Sequence, residues 1–124
     1  GRVDYLNAGH NLPFLVSVDG TISELTEQAG PPLGVMQGIE FQAAHTWMQP
    51  GDLLFMFTDG VNEAMNPGKE LFGNSRVQAQ LVDNAKKSCA DLSRQMLLAI
   101  NEFAAGAEQS DDITMLILRW NGPA

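Results

Sequence analysis

The sequence predicts an α+β protein in which helices cover an antiparallel sheet. In the first half, short β-rich segments alternate with turns. Two stretches with apolar residues at helical spacing follow, and an apolar strand-like segment returns near the end. Because strands and helices do not alternate along the chain, parallel strands joined by helices are not expected.

Four β-rich segments in the first half are bounded by glycine, proline and asparagine, which is typical of antiparallel hairpins. They are residues 3–6, 14–18, 21–25 and 41–47. Asp19 and Gly20 lie between the second and third segments. This dipeptide favours the positive backbone angles of a tight type I′ turn, so a two-residue hairpin loop is predicted there.

Residues 53–57 (LLFMF) form an uninterrupted apolar run that follows a Pro-Gly-Asp turn. A run of this length predicts a central strand covered on both faces. Residues 61–73 contain several turn-forming residues and predict a loop that includes one helical turn.

Two helices are predicted next, the first from Ser75 and the second from Ser88, with Asp91 as the capping-box partner of Ser88 and Gly106 as a stop signal. Their apolar stripes are Val77, Leu81 and Ala85 in the first helix and Leu92, Met96, Ile100 and Phe103 in the second. Such stripes are typical of core packing. Residues 113–120 predict the returning strand.

Composition limits the possible functions. The chain has 124 residues, enough for one domain, and a formal net charge of −8 that would repel nucleic acid and anionic lipid. Its longest apolar run is far shorter than the ~20 residues that span a bilayer, so direct membrane insertion is not expected. The lone Cys89 excludes an internal disulfide and a cysteine-based zinc site, and a cytoplasmic location is expected. The chain opens inside a β-rich segment, so we expect residues 1–124 to be part of a larger domain.

Carboxylates lie at the ends of two predicted central strands. Asp59 directly follows residues 53–57, and Asp111 and Asp112 directly precede residues 113–120. A carboxylate on a rigid strand end suits Mg²⁺ or Mn²⁺, and adjacent carboxylates are more favourable beside a cation than alone. From the residues alone, a metal site and two ordinary solvated turns both remain open.

His10 lies at the tip of a glycine-containing turn, residues 7–11. An imidazole at such a position could ligate a metal, transfer a proton or bind phosphate. A structural role in the turn is the alternative interpretation.

Six segments together resemble the SpoIIE/RsbU branch of PPM-type protein phosphatases in content and in order. They are YLNAGHN at 5–11, PLGV at 32–35, PGDLL at 50–54, TDGVNEA at 58–64, FG at 72–73 and DDIT at 111–114. A single motif would be weak evidence. An ordered set that runs from Tyr5 to Arg119 is specific.

The resemblance implies the C-terminal part of an antiparallel β-sandwich flanked by helices in α-β-β-α layers. It also implies a two-metal centre that activates a bridging water to attack phosphoserine or phosphothreonine, with two Mn²⁺ or Mg²⁺ ions per complete domain. Asp59 and Asp111 match metal ligands of the family. Gly60, Asp112 and His10 are expected to support these ligands or to contact a metal. The Asp-Gly motif that bridges both metals in the family belongs to an N-terminal half that this sequence does not contain.

The resemblance further implies a phosphoprotein substrate, such as an anti-sigma-factor antagonist or a similar regulator. The fragment alone is expected to be inactive and to self-associate through uncovered strand edges and apolar faces. The alternative is a non-catalytic, phosphatase-like regulatory module that works only by binding protein. The carboxylates at Asp59, Asp111 and Asp112 argue against it, since a binding module does not need them.

Overall fold

The computed structural model describes residues 1–27 and 30–124. In chain order, its elements are β1 (Arg2–Tyr5), β2 (Phe14–Val16), β3 (Ile22–Glu24), β4 (Ala44–Trp47), β5 (Leu53–Phe57), α1 (Asp59–Asn62), α2 (Gly73–Asn84), α3 (Cys89–Ala104) and β6 (Met115–Arg119). The predicted order of strands, helices and a returning strand is confirmed. Within these described ranges, no helix is both long enough and apolar enough to cross a membrane.

The strands form two antiparallel sheets. One sheet has four strands in the order β3-β2-β5-β6, and β1 pairs with β4 in the other. Helices α2 and α3 pack on one face of the four-stranded sheet, and side chains of β1 pack against its other face. The predicted α+β class with antiparallel sheets is therefore confirmed, and the described residues form helix, sheet and sheet layers.

Strand β5 lies at the centre of the structure because it pairs with β2 on one side and β6 on the other. Leu53, Phe55 and Phe57 join the core beneath the helices, whereas Leu54 and Met56 belong to the cluster that faces β1. The rings of Phe55 and Phe57 stack with their centroids 5.4 Å apart. The prediction of a central strand covered on both faces is confirmed.

Helices α2 and α3 use the predicted apolar stripes. Their buried apolar side chains are Val77 and Leu81 in α2 and Leu92, Met96 and Ile100 in α3. Half of the predicted capping box is present: Ser88 Oγ accepts a hydrogen bond from Asp91 N (3.1 Å), but Asp91 Oδ2 accepts from the Ser88 hydroxyl (2.7 Å) and not from the Ser88 backbone N–H. Hydrogen bonds from Ser88 and then from Arg94 lower the pKa of the Asp91 carboxyl. After α3, Ala105 and Gly106 adopt left-handed conformations (φ 47° and 86°), close to the predicted stop.

The hairpin between β2 and β3 differs from the predicted type I′ turn. Gly20 N donates to Ser17 O (2.9 Å), and Ser17 N donates to Thr21 O (2.8 Å), so residues 17–21 form a longer loop. Gly20 has a φ of 91°, but Asp19 is not among the residues with positive φ. The Asp19 carboxylate accepts a hydrogen bond from Thr21 N (2.9 Å), which favours a different turn conformation. The predicted hairpin is confirmed by the antiparallel pairing of β2 with β3, but the predicted turn type was wrong because it considered only the two central residues.

Asp52 is a buried carboxylate, 3% exposed, in the turn that precedes β5. Its Oδ1 accepts a hydrogen bond from Val18 N (3.0 Å), and its Oδ2 accepts one from Gln49 N (2.7 Å). Its backbone oxygen accepts a third from Trp120 N (3.0 Å). Asp52 therefore joins the segments that follow β2, precede β5 and follow β6.

Replacing Asp52 with asparagine should lower the free energy of unfolding by about 2 kcal/mol. The change turns one of two buried acceptor oxygens into a donor that faces a backbone N–H. Urea unfolding of the complete domain measures the effect. Asp19→Asn is the control, since Asp19 is exposed and its change should stay within about 0.5 kcal/mol. Equal losses in both variants would contradict the role assigned to Asp52.

Candidate functional site

The candidate site lies where β5 ends and β6 begins. The two strands are antiparallel, with Phe57 opposite Met115, so the residues after β5 meet the residues before β6 at one edge of the sheet. Asp59 starts α1 on one side of this junction, and the turn that contains Asp111 and Asp112 lies on the other. The sequence prediction assigned both segments to one candidate metal site, and pairing of β5 with β6 brings the two segments together.

Thr58 connects the two sides of the junction. Its hydroxyl donates a hydrogen bond to Asp112 O (2.8 Å) and accepts one from Thr114 N (3.0 Å). Its backbone N donates to Thr114 O (3.0 Å). No role was predicted for Thr58 from the sequence. Its position between the central strand and Asp59 was the available signal.

Gly60 allows α1 and the Asp111–Asp112 turn to come into contact. A Cβ at residue 60 would collide with the backbone oxygen of Asp112, and it would lie 2.8 Å from the carbonyl carbon of Asp112 and 3.0 Å from Asp111 O. These are backbone atoms and cannot rotate away. Any side chain at residue 60 would therefore separate Asp59 from the opposite turn.

The three carboxylates at the junction are exposed and have few protein partners. Asp111 Oδ1 accepts a hydrogen bond from Asp112 N (2.7 Å). In the described part of the chain, the side chains of Asp59 and Asp112 make no hydrogen bond or ion pair with protein groups. Their oxygens are thus available to a cation.

His10 is brought next to Asp59 by a turn that Asn7 stabilises. The buried Asn7 side chain accepts a hydrogen bond from His10 N (2.7 Å) and donates one to His10 O (3.0 Å). The exposed imidazole has Nδ1 3.2 Å from Asn11 O. Gly9, His10 and Asn11 line a cleft of about 160 Å³ together with Thr58 and Asp59. The structural role of Asn7 was not predicted.

The carboxylate oxygens at the junction are of the chemical type that binds a hard divalent cation. Carboxylate oxygens are the ligands that Mg²⁺ prefers, and Mg²⁺ often uses only one or two of them together with water and phosphate oxygens. Within residues 1–27 and 30–124, however, no three His, Cys, Asp or Glu side chains lie close enough together to hold a metal ion. Asp59 and Asp111 can therefore supply only part of a metal centre.

Known proteins with similar sequences place the chain in a family. The family model of Stage II sporulation protein E (SpoIIE) matches residues 1–121. The chain belongs to the SpoIIE family. The resemblance to phosphatase domains of the SpoIIE/RsbU type is therefore confirmed.

Two curated relatives are similar to this member of the SpoIIE family over nearly its whole length. Protein IcfG of Synechocystis sp. is 35% identical over 123 residues, which cover 98% of this chain and 19% of IcfG. Phosphoserine phosphatase RsbP of Bacillus subtilis is 28% identical over 117 residues, which cover 94% of this chain and 27% of RsbP. The chain thus spans only a minor part of the length of these relatives.

Several solved structures share the fold of this SpoIIE-family chain. The RsbU and RsbW domains of Rv1364c from Mycobacterium tuberculosis match with a TM-score of 0.77 and 25% identity, covering 100% of this chain and 34% of that chain. The SiaA-PP2C domain of Pseudomonas aeruginosa matches with a TM-score of 0.78 and 21% identity, covering 96% of this chain and 46% of that chain. The manganese-presoaked phosphatase domain of SpoIIE from Bacillus subtilis matches with a TM-score of 0.74 and 12% identity. The match covers 100% of this chain and 53% of that chain.

Replacing Gly60 with alanine should move the Asp111–Asp112 turn away from Asp59, because the new methyl group meets backbone atoms. In the complete domain, we expect Mn²⁺ affinity to fall at least about tenfold and the free energy of unfolding to fall by about 1–3 kcal/mol. Calorimetric titration with Mn²⁺ and thermal unfolding measure the two effects.

The matched control for this variant is Gly68→Ala. A Cβ at residue 68 would meet only the side chain of Asn66, with Oδ1 at 3.2 Å, in an exposed turn. This variant should bind Mn²⁺ normally. Unchanged Mn²⁺ affinity in Gly60→Ala would show that close approach of the two segments is not needed.

Proposed function

We propose that residues 1–124 are part of a metal-dependent phosphatase domain that hydrolyses phosphoserine or phosphothreonine on a regulatory protein. The observation that carries this proposal is the junction at which Thr58 and Gly60 hold Asp59 against the Asp111–Asp112 turn. The arrangement supports cation binding because these carboxylates project from the ends of paired strands and their oxygens make few hydrogen bonds to protein groups.

Asp59 and Asp111 are the proposed metal ligands. Asp112 would act mainly through its backbone, whose oxygen accepts the hydrogen bond from Thr58. A complete domain would hold two Mn²⁺ or Mg²⁺ ions, and the remaining ligands would come from a segment upstream of Gly1. When bound, such ions lower the pKa of water and neutralise charge on a transferring phosphoryl group.

His10 is proposed to orient the substrate phosphate or a proton donor beside Asp59. Its exposed imidazole lines the same cleft as Asp59, and its backbone is fixed from both sides by Asn7. A histidine whose backbone is fixed and whose ring is exposed is suited to positioning a ligand. Direct ligation of a metal by His10 is the less favoured role.

The proposed substrate is a phosphoprotein similar to an anti-sigma-factor antagonist, in the cytoplasm. Similarity to RsbP, a phosphoserine phosphatase, supports the chemistry of this substrate. The chain carries 15 acidic and 7 basic residues, so an anionic substrate needs local neutralisation at the cleft. Cations at Asp59 and Asp111 would provide it.

A second candidate function is a non-catalytic regulatory module that binds protein. It is favoured by one observation: in the described ranges, no group of three potential metal-ligating side chains is complete. The two functions differ in their need for the junction carboxylates, which can be tested directly.

In the complete domain, Asp59→Asn and Asp111→Asn should each lower kcat on a phosphoserine peptide at least about a hundredfold, because each removes a metal ligand. Asp112→Asn should lower it less than about tenfold. Stopped assays at several Mn²⁺ concentrations measure these losses, and Asp83→Asn, an exposed carboxylate on α2, is the control. Comparable losses at Asp111 and Asp112 would refute the ligand assignment. Binding of a phosphoprotein without any hydrolysis by the unmodified domain would favour the second function.

The isolated 124-residue chain should be inactive and should self-associate. Strand β6 is at an edge of the described four-stranded sheet, and Leu116 and Leu118 on it are 57% and 44% exposed. Light scattering and a phosphopeptide assay in excess Mn²⁺ test both expectations, with the upstream segment added in trans as the comparison. Metal-dependent turnover by a monomer of this chain alone would contradict the proposal that an upstream segment completes the site.

A further inference from the structure

A second, larger cleft adjoins the cleft at Asp59. It has a volume of about 380 Å³ and is lined by Gly9, His10, Asn11, Leu12, Phe57, Asn62 and Asn74. Three of these residues are asparagines, and none carries a carboxylate, an ammonium or a guanidinium group. The cleft is therefore polar but nearly neutral, in contrast to the acidic junction beside it.

Two of the side chains that line this cleft each have one buried atom without a hydrogen-bond partner. Asn11 Nδ2 and Asn62 Oδ1 are both buried and unpaired with any group in the described ranges. The other end of the Asn62 amide is fixed, since its Nδ2 donates to Asn74 Oδ1 (3.1 Å). Buried polar atoms without partners are rare because leaving them unpaired is costly, and they often mark functional positions.

The two unpaired atoms are one donor and one acceptor. Asn11 can donate to a carbonyl oxygen, and Asn62 can accept from an N–H group. A peptide group offers both functions and no charge, so it matches this lining better than a phosphate or a carboxylate does. The Asn11 side chain makes no hydrogen bond in the described structure, so it can rotate toward a ligand without losing one.

The position of the cleft relates it to the reaction. Gly9, His10 and Asn11 line both this cleft and the cleft that contains Thr58 and Asp59. A substrate whose phosphoryl group lies at Asp59 would therefore place its adjacent main chain along Asn11. We propose that Asn11 and Asn62 form a subsite that binds one peptide group next to the phosphorylated residue, an inference that rests on the proposed phosphatase function.

The test compares two substrates of the complete catalytic domain with Mn²⁺. p-Nitrophenyl phosphate has no peptide group, whereas a phosphoserine peptide has one on each side of the phosphorylated residue. In Asn11→Ala and Asn62→Ala, kcat/KM for the peptide should fall about tenfold more than kcat/KM for p-nitrophenyl phosphate, mainly through KM. Asn121→Ala, an exposed asparagine beyond β6, is the matched control and should show no such difference.

N-methylated peptides identify the group that is bound. Methylation of the amide on one side of the phosphoserine removes the N–H that would donate a hydrogen bond to Asn62 Oδ1. For one of the two methylated peptides, kcat/KM of the unmodified domain should therefore fall by about the same factor as in Asn62→Ala. That loss should not add to the loss caused by Asn62→Ala. Fully additive losses would overturn the assignment of a peptide group to Asn62.

Equal losses on both substrates would overturn the subsite, because they would place the asparagines in support of the metal centre. Absence of any loss would overturn it too, and would fit a water molecule that satisfies the two atoms. Failure of the unmodified domain to hydrolyse either substrate would instead contradict the proposed function, and with it the subsite.

Discussion

The candidate site depends on one contact, the packing of Thr58 and Gly60 against the backbone of residues 111–114. Carboxylates repel each other, so Asp59, Asp111 and Asp112 cannot hold their own segments together. Instead, one hydroxyl donates to Asp112 O and accepts from Thr114 N, and a residue without a side chain allows the backbones to touch. The attraction needed to gather the acidic groups thus comes from neutral neighbours.

That contact is supported by the most buried part of the molecule. Phe57, the last residue of β5, stacks on Phe14 with ring centroids 5.5 Å apart and is 3% exposed. The following residue, Thr58, is already at the edge of the cleft. Side chains that lie one or two residues beyond a packed strand are held more precisely than side chains on long loops. The density of the core therefore limits how far Asp59 can move.

The sequence predicted the parts of the structure that are determined locally. The strand at residues 53–57 and the N-cap at Ser88 each depend on a few neighbouring side chains, and both were found in the structure. The type I′ turn at Asp19 was wrong because residues on both sides of the dipeptide close the loop. Asp52 and Thr58 were not recognised, because their partners are distant in sequence: Val18 for the first, and Asp112 and Thr114 for the second. Long-range hydrogen bonds leave no periodic pattern for a sequence analysis to detect.

The contrast between the two adjoining clefts suggests why the asparagines are suited to this position. The chain has a formal net charge of −8, and more carboxylates near Asp59 would strengthen repulsion of an anionic substrate unless each were offset by a cation. Positive side chains would attract the phosphate but could also hold it away from the metal ligands. Amides avoid both problems, because they offer directed donors and acceptors without net charge. A neutral polar lining beside an acidic junction would therefore leave placement of the phosphate to the cations and placement of the main chain to hydrogen bonds.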